Sequence, residues 1–314
     1  MSHKWSQFKD LRLRREAISW LQIRTSGGVH SLSREELNDF FFDGQPFKLI
    51  DPMKGIRKPA ELEAALSIMT AYRKPGEDRP YADDVGPDDL PRYMWEGNNP
   101  ETSTNAGLRL AYERNLPIIW FIGIGGSPTQ FHAVCPVKII GEERSLKRFV
   151  LSPVLEDDLT FAGLGDPGSA ENIIKKYLQR ETKIRLHQPV FRASVIRAYN
   201  GRCAVCSLGH EILLDAAHIV PDSDDRGIAS VTNGLALCKI HHAAYDSSIL
   251  GISPDYTVEI RRDLMEENDG PMLEHGLKER HKEKLMTLPS IMKERPDREL
   301  LDITYQKFLL AQPA

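Results

Sequence analysis

Two short pairs of metal-binding residues constrain the fold of this chain more than any other feature. Cys203 and Cys206 form a Cys-x2-Cys pair, and Cys238 with His241 forms a Cys-x2-His pair after 31 intervening residues. A two-residue gap lets one tight turn direct both donors at the same ion, and two such turns supply the four ligands of tetrahedral zinc. Three of the four cysteines of the chain fall in this arrangement. We therefore expect a structural Zn²⁺ site rather than four unrelated residues.

The remaining cysteine and the N-terminus bear on the cellular compartment. Cys135 lies in a strand-like apolar run and is expected to be a small core residue. The first residues lack the apolar segment of a secretory signal, and no apolar run approaches the roughly 18 residues that span a bilayer. The sequence therefore predicts a cytoplasmic protein without a membrane partner, in which free thiols favour metal binding over disulfides.

The length of the chain, 314 residues, suits two domains of ordinary size. Residues 156–170 are rich in glycine and are the best linker candidate, while the tail after Asp263 is charged and mainly helical in pattern. The sequence predicts a first domain at residues 1–160, a linker with a basic helix at 161–187, and a second domain with a helical C-terminal extension at 188–314.

The first domain has the pattern of a mostly β fold. From Pro46 to Leu151, short apolar runs are separated by Gly, Pro and Asp clusters. Helices are predicted at 60–72 and 105–115, and an amphipathic helix is predicted within the first 25 residues. We therefore predict the α+β class. The expected apolar positions of the first helix are Phe8, Leu11, Ile18 and Leu21.

Charge is distributed unevenly along the chain. The net charge is −4, yet eight lysines and arginines lie between Ile173 and Arg202, against the single acid Glu181. Such a segment is typical of a phosphate-binding surface, although a solvated helix face has the same composition. We expect Lys175 and Lys176 to contact a DNA backbone.

A histidine–asparagine–histidine series lies within the zinc-binding region. His218 ends a short apolar run, Asn233 follows fifteen residues later, and His242 follows nine residues after that. The series and its flanking cysteines resemble the HNH, or ββα-metal, nucleases over residues 192–246. The resemblance implies a metal-dependent phosphodiesterase.

The chemistry of phosphodiester hydrolysis assigns a role to each member of the series. His218 can accept a proton from water, Asn233 would fix the loop and orient His218, and His242 would bind Mg²⁺ or another divalent ion. Many HNH nucleases carry a metal ligand just before the base, where this chain has Ala217. Asp215 is the candidate replacement, and Asp246 is the second choice.

A tyrosine–aspartate pattern in the first domain resembles a second family. Tyr81-Ala-Asp-Asp84-Val is followed by Tyr93-Met-Trp-Glu-Gly, and over residues 55–97 this is similar to the SRA domain, a reader that flips modified cytosine. The resemblance implies an SRA/PUA-like twisted β-barrel with flanking helices. Tyr81 and Tyr93 would sandwich the base, and Asp84 would accept from its exocyclic amine.

Together the two resemblances predict a type IV restriction endonuclease. It would bind double-stranded DNA containing 5-methylcytosine or 5-hydroxymethylcytosine, and it would act as a homodimer because one HNH site cuts one strand. Two alternatives stay open: an HNH nuclease specific for unmodified DNA, and a non-catalytic reader of modified DNA in which Ala217 marks a decayed metal site.

Overall fold

The structure, a computed structural model, describes residues 4–72, 90–153, 188–221, 224 and 226–312. The chain divides into two compact units, Met1–Val190 and Phe191–Ala314. The linker predicted at 161–187 lies outside the described residues, as do four predicted site residues: Tyr81, Asp84, Lys175 and Lys176.

The described part of the first unit combines helices with a seven-stranded sheet that curls into a half-barrel. The helices are α1 (Gln7–Arg24), α2 (Arg34–Leu37) and α3 (Ser103–Glu113). The strands are β1 (Leu32–Ser33), β2 (Phe41–Phe42), β3 (Gln45–Pro46), β4 (Ile56–Arg57), β5 (Ser67–Thr70), β6 (Arg92–Met94), β7 (Ile118–Gly125), β8 (Gln130–Glu143) and β9 (Arg148–Ser152). The sheet order is β4-β5-β7-β8-β9-β6, with β1 also paired to β8, while β2 and β3 form a separate hairpin.

Strand β7 lies at the centre of this unit and is apolar on both faces. Ile118 and Trp120 pack in one core with residues of α3, whereas Ile119 and Phe121 pack in a second core with residues of α1. A strand that is covered on both sides needs apolar residues at consecutive positions rather than at alternate ones. This requirement explains the unbroken apolar run that the sequence shows here.

Helix α1 forms where it was predicted. Of its predicted apolar positions, Leu21 is buried and Ile18 is partly buried, whereas Phe8 and Leu11 are exposed. Phe8 is 78% exposed, while Asp10, Leu13 and Arg14 are buried. Arg14 donates to Asp10 Oδ1 at 2.7 Å and to the carbonyl oxygens of Ala65 and Pro117 at 2.9 and 2.8 Å. These partners offset part of the cost of burying the guanidinium, although burial still lowers the pKa of Arg14. The buried face therefore contains charged residues.

The helix predicted at residues 60–72 is wrong. The segment forms turns and then β5, which pairs in parallel with β7. Ser67, in the middle of the segment, is buried and its hydroxyl donates to the carbonyl oxygen of Leu49. Residues 64–68 are all buried. Burial at consecutive positions fits a strand covered on both faces better than a helix, which would leave one side in water. The helix predicted at 105–115 is confirmed as α3.

The second unit is built around two antiparallel strand pairs and short helices. Its core joins both pairs to α4 and α8. The helices are α4 (Gln188–Ala198), α5 (Lys239–Asp246), α6 (Arg262–Glu266), α7 (Pro271–Gly276) and α8 (Arg298–Leu310). The strands are β10 (Leu214–His218), which pairs with β11 (Gly234–Cys238), and β12 (Leu250–Ile252), which pairs with β13 (Val258–Ile260). None of the helices in the described ranges is long and apolar enough to cross a membrane.

Candidate functional site

The predicted metal and catalytic residues of the second unit lie on one β10–β11–α5 element. In the antiparallel register, His218 is opposite Gly234 and Leu214 is opposite Cys238. Asn233 immediately precedes β11, and α5 begins one residue after Cys238. Two strands and a helix that follow each other this closely bring residues that are distant in sequence to a common surface.

The four predicted zinc ligands converge. One donor atom from each of Cys203, Cys206, Cys238 and His241 lies within 4.8 Å of the others. Cys206 Sγ is 4.0 Å from Cys238 Sγ, and His241 Nδ1 is 3.1 Å from Cys238 Sγ. These separations suit ions bound by thiolates at about 2.3 Å and by imidazole at about 2.0 Å. The cluster could therefore hold zinc.

The imidazole of His241 is oriented by a contact outside the cluster. Its Nδ1 faces the thiols, while its Nε2 lies 2.7 Å from the carbonyl oxygen of Gly276, at the end of α7. A carbonyl oxygen accepts a hydrogen bond, so Nε2 carries the proton and leaves the Nδ1 lone pair for an ion. This second contact fixes the tautomer that zinc binding requires.

The electrostatics of the cluster favour a cation. Hydrogen bonds from Cys203 and Cys206 lower the pKa of Cys238 and stabilise its thiolate. Burial would lower the pKa of His241, but hydrogen bonds with the thiols of Cys203 and Cys238 outweigh burial and raise this pKa to about 10. The cluster thus stabilises a thiolate and, without an ion, a proton on Nδ1 of His241, so zinc would bind by displacing that proton.

Asn233 fixes the loop that joins β10 to β11. Its side chain is fully buried, and its Oδ1 accepts from the amide of Val220 at 2.9 Å. Its Nδ2 donates to the carbonyl oxygens of Val220 and Ile228 at 2.9 and 3.0 Å. The two ends of the loop are therefore tied together two residues beyond His218. These described contacts of Asn233 are with the loop backbone near His218.

His242 lies between the two aspartates that were candidates for the second catalytic-ion ligand. Its Nδ1 is 3.3 Å from Asp215 Oδ2, and its Nε2 is 3.3 Å from Asp246 Oδ2. The carboxylates lie on opposite edges of the ring, so one ion bound to one ring nitrogen cannot use both. Among the described residues, the four-residue cysteine–histidine cluster is accordingly the one group of three or more such donors that converges.

A lysine that the sequence did not single out competes for Asp215. Lys239 Nζ lies 2.5 and 2.6 Å from the two carboxylate oxygens. Burial raises the pKa of Asp215, but the hydrogen bond from Lys239 and that from His242 outweigh it, and the net pKa is lowered. The carboxylate is therefore ionised near neutral pH and already attracts a cation. In the sequence, only the position of Lys239 directly after the predicted zinc ligand Cys238 could have indicated that it lies near the site.

Of the three predicted base-pocket residues, the structure describes only Tyr93. Tyr93 lies in β6 and is only 5% exposed, and its hydroxyl donates to the carbonyl oxygens of Gly55 and Met69 at 2.9 and 3.2 Å. This placement supports a packing role rather than a stacking face. Tyr81 and Asp84 lie outside the described residues.

Comparison with known proteins identifies the nuclease region. A family model described as HNH endonuclease matches residues 203–253, and no curated protein matches the chain. A solved structure titled as the modification-dependent TagI restriction endonuclease is similar at 18% identity and a TM-score of 0.30, with 83% of this chain and 86% of the other covered. The family match covers both predicted zinc pairs, both histidines of the histidine–asparagine–histidine series and Asn233. Residues 203–253 are therefore an HNH endonuclease domain.

Proposed function

We propose that this protein is a metal-dependent endonuclease that cuts double-stranded DNA containing 5-methylcytosine or 5-hydroxymethylcytosine. The proposed nuclease activity is supported by the HNH domain, whose histidine series lies on one β10–β11–α5 element. The reading of modified cytosine rests on the sequence pattern of Tyr81 and Asp84. By this proposal the enzyme serves restriction of modified foreign DNA, as a homodimer whose two sites cut the two strands.

In the proposed mechanism His218 is the general base. A neutral imidazole at the end of β10 accepts a proton from the attacking water, while the Asn233 hydrogen bonds hold the backbone that carries it. His242 and an aspartate would hold the divalent ion. That ion, when bound, neutralises charge on the phosphate and on the leaving oxygen. The donors suit it, because carboxylate oxygen and imidazole nitrogen are ordinary ligands of divalent ions.

Asp215 is the proposed second ligand of this ion. Of the two carboxylates beside His242, that of Asp215 is the less exposed. It also forms an ion pair with Lys239. Lys239 would leave Asp215 as the ion binds and would become available to a phosphate. Asp246 lies on the other edge of the ring and would remain a hydrogen-bond partner.

Matched substitutions separate the two carboxylates. Asp215→Asn should weaken Mn²⁺ binding by about tenfold or more, since even the loss of an outer partner of a ligand costs that much. Asp246→Asn should leave the affinity near that of the wild type. The measurement is Mn²⁺ titration into zinc-loaded protein by calorimetry. Weakening by Asp246→Asn alone would move the second ligand to Asp246.

In the first unit, Tyr81 would stack on the flipped base and Asp84 would accept from the N4 amine of cytosine. Tyr93 is better suited to supporting the pocket from the core than to covering the base, because its ring is buried and its hydroxyl is already bonded. Lys175 and Lys176 would bind the DNA backbone without regard to modification.

Cleavage and binding of paired methylated and unmethylated duplexes test the reader. Tyr81→Ala should weaken binding of methylated DNA by about five- to 150-fold, from a stacking energy of about 1–3 kcal/mol. Asp84→Ala should erode the preference for cytosine. The control is joint neutralisation of Lys175 and Lys176, which should weaken both duplexes alike and reduce the salt dependence.

The ratio between the two duplexes decides among the alternatives. If Tyr81→Ala and Asp84→Ala leave the ratio of methylated to unmethylated DNA binding unchanged, the proposed modified-cytosine reader is wrong. The protein would then be an HNH nuclease for unmodified DNA. If wild-type protein binds methylated DNA in Mg²⁺ but cuts neither duplex, the non-catalytic alternative is correct.

A further inference from the structure

The ring of His218 is stacked on a phenylalanine that belongs to neither resemblance. The centroids of the Phe191 and His218 rings are 4.0 Å apart, and the two ring planes differ by only 14°. Phe191 is 5% exposed and belongs to the core of the second unit. One face of the imidazole therefore rests on a side chain that is itself held by packing.

The position of Phe191 depends on the glycine opposite His218. Gly234 pairs with His218 in the strand register. A Cβ atom at Gly234 would lie 2.4 Å from Val195 Cγ2 and 3.1 Å from Phe191 Cζ, both closer than side chains ordinarily pack. Because Gly234 has no side chain, α4 approaches the end of the β10–β11 pair closely enough for Phe191 to reach the imidazole.

A second contact fixes α4 against the other end of β10. Arg192 donates to the carbonyl oxygen of Leu214 at 2.9 Å and to that of Glu211 at 2.8 Å. Strand β10 is thus held by α4 at its first residue through Arg192 and at its last residue through Phe191. The helix sets where the strand lies and how the terminal imidazole is turned.

Orientation of this ring matters for the proposed chemistry. A general base must reach the proton that it abstracts at hydrogen-bond distance, and a misplacement of about 1 Å can cost about 100-fold in rate. The strand register and the Asn233 contacts fix the backbone near His218. They leave the torsion of the ring itself to its neighbours.

We propose that Phe191 is a positioning residue of the nuclease site, which holds the His218 imidazole in the plane from which it accepts a proton from water. This inference rests on the proposed role of His218 as general base. It adds α4, which precedes the matched HNH region at residues 203–253, to the elements that make the site competent.

Phe191→Leu tests the proposal, with Val195→Ala as its matched control. Both changes remove buried carbon from α4 next to Gly234, but only the first removes the ring under His218. Phe191→Leu should lower kcat by roughly 10- to 100-fold at unchanged KM for DNA. Val195→Ala should keep the wild-type kcat even if it lowers the melting temperature as much as Phe191→Leu does.

A spectroscopic readout separates positioning from general destabilisation. The Hδ2 and Hε1 resonances of His218, assigned by their loss in His218→Ala, should carry a ring-current shift in the wild type. That shift should disappear in Phe191→Leu and persist in Val195→Ala. Its absence from the wild type, or equal loss of kcat in both variants, would overturn the proposal.

His218→Ala separates this inference from the function on which it rests. If His218→Ala still cuts DNA, the general-base role fails whatever Phe191 does to the spectrum. If His218→Ala is inactive while Phe191→Leu cuts at the wild-type rate, the nuclease proposal stands and the positioning role of Phe191 is wrong.

Discussion

Replacing His218 with alanine is expected to abolish DNA cleavage while leaving the protein folded and able to bind DNA. Removal of a general base costs about 10²- to 10⁴-fold in rate. The side chain lies half-buried at the end of β10, so its loss removes a ring contact with Phe191 but no ligand of the metal cluster. We expect single-turnover cleavage of a modified duplex to fall by that factor, with the dissociation constant for DNA unchanged.

A histidine elsewhere in the same unit provides the control. The His275 side chain is exposed and ion-paired with Glu279 in the turn after α7, whereas the neighbouring contact with His241 is made by the backbone of Gly276. His275→Ala should therefore cut at the wild-type rate. Near wild-type cleavage by His218→Ala would remove His218 from the mechanism and with it the assignment of the histidine series.

Loss of one cysteine ligand should have the largest effect on stability. Structural zinc contributes about 10–16 kcal/mol to the folding of zinc-finger peptides, which exceeds the usual free energy of unfolding of a whole domain, about 5–15 kcal/mol, at the upper end. We expect about one tightly held zinc per chain in the wild type. Cys206→Ser should lose the metal, lower the melting temperature of the second unit, and lose cleavage with it.

Cys135→Ser is the matched control for zinc binding. Cys135 lies in β8 of the first unit, where burial raises the pKa of its thiol to about 12, and it is not one of the four cluster residues. This variant should retain one zinc per chain by elemental analysis. A wild-type protein that is fully folded after zinc has been removed would contradict a structural role for the cluster.

The zinc cluster was predictable because its information is local. Each Cys-x2 pair is set by one turn, and the hairpin between the pairs needs only the β10–β11 register. The contacts that orient the donors are not local: Gly276 accepts from His241 across 35 residues, and Arg192 reaches Glu211 and Leu214. Every residue has a backbone carbonyl, so the sequence does not indicate which one will accept a given hydrogen bond. These contacts could be identified only from the folded structure.

The errors in the first unit have a common physical origin. The α1 prediction was right for Leu21 and wrong for Phe8, and it missed Arg14, which is buried with Asp10 and two carbonyl oxygens as its partners. The prediction at 60–72 assumed a helix where a strand is covered on both faces. Tyr93 matches a motif for base reading, but it packs into the core. In each case a partner supplied by the fold decided the outcome.

The support of His241 by Gly276 sets the smallest fragment that can be moved into another protein. The matched family region ends at residue 253, but the carbonyl that fixes the tautomer of His241 comes 23 residues later. Arg197 of α4 donates two hydrogen bonds to the carboxylate of Glu294, at 2.9 and 2.8 Å. The hydroxyl of Tyr245, on α5, is hydrogen-bonded to that of Thr304 on α8. A transplanted cutting module would therefore need the chain from α4 through α8, about residues 188–312, and a fusion trimmed to the motif would carry its ligands without the scaffold that aims them.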